Sequence, residues 1–66
     1  MLILLEIQTT GETSVLTPAK QYTNEADALQ EFYTVCSYAV KSTVEIHTVM
    51  ILEPDGKIYA QKTFKH

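Results

Sequence analysis

The sequence predicts an α+β fold of the form β(β)αββ, with one helix packed on one face of a three- or four-stranded, mostly antiparallel sheet. Three observations lead there. Glu53-Pro54-Asp55-Gly56 separates two segments of alternating pattern. Apolar residues recur at the 3–4 spacing of a helix face only between residues 24 and 41. Residues 2–9 are apolar on both faces in their first half, the pattern of a strand with covered neighbours.

In the first strand Ile3, Leu5 and Ile7 point one way, and Leu2, Leu4, Glu6 and Gln8 the other. Residues 10–22 carry Gly11 and Pro18 and would be a long connection if unstructured. A turn at Thr10-Gly11-Glu12 leading into a short strand around Ser14–Thr17 resolves this. Val15 would then lie opposite Ile7, with Pro18 ending the strand or confining it to an edge.

The helix spans 24–41. Asn24 or Thr23 can cap it, and Glu25 and Asp27 place negative charge in its first turn. Leu29, Phe32, Tyr33, Cys36, Ala39 and Val40 form its apolar stripe, and Lys41 falls in the last turn. From Thr43 to His66 the chain reads as one hairpin. Pro54 presets φ, Asp55 suits the next turn position and Gly56 can take φ > 0, which makes a three-residue loop. Glu53 then faces Lys57, Leu52 faces Ile58, Ile51 faces Tyr59, Val49 faces Gln61 and His47 faces Thr63. In this register Val44, Ile46, Met50, Leu52, Ile58, Ala60 and Phe64 form the helix-facing set, joined by Ile3, Leu5 and Ile7.

Sixty-six residues make a single domain, 1–66, with a thin core. One cysteine allows no intrachain disulfide, and Cys36, His47 and His66 lack metal-ligand spacing, so no metal or other cofactor is expected. Self-association is the remaining common source of extra stability. An apolar content of 45% is too high for disorder.

The net charge of −3 is uneven. Residues 1–40 hold Glu6, Glu12, Glu25, Asp27 and Glu31 against Lys20 alone. Lys57, Lys62 and Lys65 crowd the last strand with no acid among them. Overall acidity argues against general nucleic-acid binding, which needs a basic surface. Lysines on a terminal strand are a common protection of an exposed sheet edge, and they leave a weak nucleic-acid contact as an alternative. Met1–Leu5 is apolar but ends at Glu6, without the basic region and longer apolar run of a secretory signal. No stretch reaches the length of a membrane span. A lone cysteine suits a reducing compartment, so a cytoplasmic setting and no membrane partner are expected.

With one helix in the chain, one sheet face is left uncovered. The predicted register gives that face Val49, Ile51 and Tyr59, with Leu2 and Leu4 alongside and His47 among its polar neighbours. An apolar patch rimmed by polar groups marks an interface. Val49, Ile51, Tyr59 and His47 are therefore the candidate contacts of a protein–protein interface, with a homodimer as the expected assembly. Cys36 lies on the core-facing stripe, where a thiol acts as a small hydrophobe rather than a nucleophile. His47 has no assignable acid–base partner, and His66 is terminal. No catalytic residue emerges: there is no glycine-rich phosphate loop and no nucleophile elbow, so an enzyme is not expected.

From Tyr22 to His66 the chain resembles a group of small uncharacterised proteins of Gram-positive gut bacteria and their mobile elements. The resemblance rests on Thr23-Asn-Glu-Ala26, Tyr33, Ala39-Val40, His47-Thr-Val-Met-Ile-Leu52, Asp55-Gly56 and Phe64-Lys-His66. It implies a bacterial or phage-like cytosolic setting and no known activity. Its functional alternative is a mobile-element accessory protein that binds a host or defence protein.

Overall fold

A computed structural model describes every residue, 1–66. The elements are β1 (Leu2–Thr10), β2 (Thr13–Leu16), β3 (Lys20–Tyr22), α1 (Glu25–Ala39), β4 (Ile46–Leu52) and β5 (Ile58–Lys65). All pairings are antiparallel, in the order β2-β1-β4-β5, with β3 sharing β1's outer edge with β2. One helix on one face of this sheet is the expected α+β arrangement, with a fifth strand, β3, that the sequence reading lacked.

β2 and β3 are one edge strand broken at Thr17-Pro18-Ala19. Ile7 pairs with Leu16 while Leu4 pairs with Lys20, so three residues of the edge span two of β1. Pro18 has no N–H to offer a ladder, and such a break is where it belongs. Thr17 closes the gap: its N–H donates to the Glu6 carbonyl at 3.0 Å, and its hydroxyl accepts from the Glu6 N–H at 2.9 Å. The β1–β2 turn is one residue tighter than predicted. Thr10 pairs with Thr13 across Gly11 and Glu12. Gly11 has φ +61° and Glu12 a negative φ, as in a type II′ hairpin, so Leu16 rather than Val15 meets Ile7.

Asn24 caps α1, its Oδ1 accepting from the Ala26 and Asp27 N–H groups at 2.7 and 3.4 Å. The buried stripe is Ala28, Phe32 and Ala39, with Leu29, Val35 and Cys36 packed beside them. It is rotated from the predicted stripe: Tyr33 and Val40 are 66% and 53% exposed. Ala28 and Ala39, fully buried, let the helix approach the sheet closely. The helix ends before Lys41, whose N–H donates to the Tyr38 carbonyl in a tightened last turn. The terminus is held: the His66 N–H donates to the Glu45 carbonyl at 2.8 Å, and its Nε2–H to the Ala39 carbonyl at 3.0 Å, beside the helix C-terminus.

The β4–β5 turn forms as predicted. Glu53 N–H donates to the Lys57 carbonyl and Gly56 N–H to the Glu53 carbonyl, both at 2.8 Å, and Gly56 takes φ +91°. Leu52 pairs with Ile58, as expected. A bulge then inserts one residue: Ile51 pairs with Ala60, Val49 with Lys62 and His47 with Phe64. Every later pair is therefore displaced by one from the predicted register.

The larger correction concerns which face the helix covers. Leu4, His47, Val49 and Ile51 are buried beneath α1, and Ala60 and Phe64 pack with them. The predicted helix-facing set of β1 and β4 (Ile3, Leu5, Ile7, Ile46, Met50 and Leu52) forms the opposite face. Both faces of β1 and β4 are apolar enough to serve, so alternation alone could not choose between them. The bulge reconciles the two strands. It aligns Ala60 and Phe64, which were placed correctly, with the buried set of β4 instead of the other.

Candidate functional site

Val49 and Ile51 are fully buried and His47 is 5% exposed, all under the helix. They cannot form a surface for a partner while the fold is intact, which corrects their placement on the uncovered face. Tyr59, 39% exposed, lies at the bulge beside the helix N-terminus. The nearby Glu25 carboxylate, and then burial, hold its phenol above the ordinary 10.0.

The uncovered face is built from the other alternation of the same strands. The register aligns Ile3 with Leu52, Leu5 with Met50, Ile7 with Thr48 and Thr9 with Ile46. Leu16 extends the row beside Ile7, and Ile58 beside Leu52; these are 62% and 53% exposed. No charged side chain occurs among the eight positions of the two central strands. The polar groups on this face are the Thr48 and Thr63 hydroxyls 3.2 Å apart, the Thr9 and Ser14 hydroxyls 2.8 Å apart, Gln61 beside Met50 and, at one end, Lys65 beside Ile46. Such an arrangement can bury the apolar centre against a matching surface while Lys65, beside Ile46 at one end, stays at the solvated rim.

Beneath the helix is a second feature. Glu6 and His47 project to the helix side from neighbouring strands, and His47 Nε2 lies 2.7 Å from Glu6 Oε1. With Glu6 ionised, Nε2–H is the donor, and the buried Nδ1 has no partner. Cys36 lies near both Glu6 and Lys62. Burial raises its thiol above the ordinary 9.0, Lys62 opposes the shift and Glu6 adds to it. A thiol held protonated, with no hydrogen bond to His47, is not an activated nucleophile. A cleft of about 160 Å³ opens where β2 and β3 part, lined by Leu4, Leu5, Glu6, Thr17, Pro18, Lys20 and Val35.

Sequence reasoning missed Glu6 as the partner of His47. The signal was present: each central strand carries one ionisable residue inside an apolar run, and both belong to the same alternation once β1 and β4 pair. Two polar side chains that can satisfy each other are a tolerable inward face. No helix is long and apolar enough to cross a membrane. Comparison of the chain with protein-family models, curated proteins and solved structures gives no match in any of the three.

Proposed function

We propose that this chain is a small, non-enzymatic, cytoplasmic protein–protein interaction module that self-associates through the open face of its sheet. The observation that carries this reading is the charge-free apolar surface of β1 and β4, centred on Leu5 and Met50 and bordered by hydroxyl and amide groups, with Lys65 at one end. A second copy of the same face suits it: apolar centre meets apolar centre, and a two-fold axis brings rim to rim. The two longer axes of the molecule, 34 and 22 Å, enclose roughly 600 Å², so two faces packed together bury about 1,200 Å², the lower end for specific interfaces. Only six apolar residues are buried within one chain, so association would add substantially to a thin core.

The test is sedimentation velocity across a wide dilution series, with circular dichroism as a control for folding. The wild type is expected to sediment as a dimer. Met50→Lys, on the open face, is expected to yield a folded monomer. Ile51→Lys, in contrast, places a charge under the helix and is expected to unfold the chain. A Met50→Lys protein with unchanged mass, or a wild type that stays monomeric at high concentration, would overturn the reading. The nucleic-acid alternative gains little from the geometry, since Lys62 and Lys65 pair with Val49 and Ile46 and so lie on opposite faces. The accessory-protein alternative rests on the resemblance to mobile-element proteins alone.

A further inference from the structure

The cleft beside the β2–β3 break shares only Leu5 with the open face. It lies on the helix side, between Val35 of α1 and the Thr17–Lys20 segment. Its volume of about 160 Å³ is close to the ~150 Å³ of an apolar cavity known to hold benzene, so it admits a ligand with a short branched hydrocarbon body. Leu4, Pro18 and Val35 supply apolar wall. Two groups of opposite charge line the same cleft without pairing with each other. Glu6 spends Oε1 on His47, while Oε2 accepts no hydrogen bond, and the side chain is 23% exposed. Lys20 makes no ion pair.

The His47 contact gives the site a fixed element. By holding Oε1 at 2.7 Å it restricts the carboxylate's rotation, so Oε2 is presented in one orientation rather than sampled. A carboxylate oxygen so placed accepts a charge-assisted hydrogen bond from an ammonium group. Lys20, flexible and more exposed, offers the complementary charge for a carboxylate.

From this geometry we infer that the cleft binds a small aliphatic zwitterion, a free branched-chain amino acid, with its ammonium on Glu6 Oε2, its carboxylate toward Lys20 and its side chain against Leu4, Pro18 and Val35. Two-point charge recognition over an apolar floor distinguishes such a ligand from a simple amine or a simple acid of the same skeleton.

The experiment is an amide-resolved NMR titration of the intact protein with L-valine at millimolar concentration, run beside isobutylamine and isovalerate, which each lack one of its charges. Valine is expected to shift the amides of Leu4, Glu6, Thr17, Lys20 and Val35, and to bind several-fold more tightly than either control. Lys20→Gln, a surface change that leaves the fold intact, is expected to bring valine down to the level of isobutylamine. Glu6→Gln keeps a hydrogen bond available to His47 and is expected to bring valine down to the level of isovalerate. Absence of shifts, shifts scattered outside the cleft, or equal binding of valine and either control would overturn the assignment.

Discussion

Glu6 and His47 are the one place where the core departs from hydrocarbon. A buried imidazole whose only partner is a carboxylate 2.7 Å away is exposed to the asymmetry of polar burial: keeping the pair contributes modestly, while breaking it leaves an unsatisfied group. Glu6→Ala is therefore expected to lower stability in urea unfolding by about 1–3 kcal/mol, because His47 then lacks a partner at both ring nitrogens. Replacing both residues by leucine is expected to recover much of that loss, since neither polar group remains to be satisfied. A double variant less stable than Glu6→Ala alone would mean that the pair contributes to the core through more than mutual satisfaction. The pair also resists slippage. Moving β4 by one residue against β1 would carry His47 to the open face and leave Glu6 under the helix without a partner.

At the scale of elements, the local signals were the legible ones. The Asn24 cap, the helix body and the Pro54-Asp55-Gly56 loop could all be read from neighbouring residues, because each is determined by φ preferences or a side chain's reach of two or three positions. Gly56 is the sharpest case. At φ +91° a side chain is strained, and Gly56→Ala is expected to cost about 1–2 kcal/mol, measurable as a lower urea midpoint. An unchanged midpoint would show that the loop relaxes to another turn. What could not be read depends on tertiary choice. The bulge after Leu52 places Tyr59 beside Glu25 at the helix N-terminus, and nothing within the hairpin sequence marks it. Nor could β1 and β4 declare their inward face while Leu4, Val49 and Ile51 competed with Leu5, Met50 and Leu52 of similar hydrophobicity. The candidate site suffered most, because an interface assigned by alternation inverts completely when that one choice inverts.

For the whole molecule, three groups around the helix–sheet seam share a response to alkali. Burial raises Cys36 above 9.0. Burial, then the charge and hydrogen bond of Glu31, raise Tyr22 above 10.0; its hydroxyl donates to Glu31 Oε2 at 3.4 Å. Glu25 does the same for Tyr59. In each case the folded chain holds its proton more tightly than the unfolded chain, so the native state binds more protons once the unfolded groups begin to ionise, and stability falls as pH rises. The contribution is complete below about pH 9, where the groups are protonated in both states, and is lost as pH climbs through their folded values. Urea midpoints are thus expected to hold steady from neutral pH to about 9 and then decline, with Cys36 responding first. Cys36→Ala should delay the onset of that decline, whatever its effect on stability at neutral pH, and Tyr59→Phe should flatten its later part. A chain this thin, with six buried apolar residues, has little other stability to mask the effect. A midpoint that stays level through pH 11 would mean that these protons are held no more tightly in the folded chain than in the unfolded one.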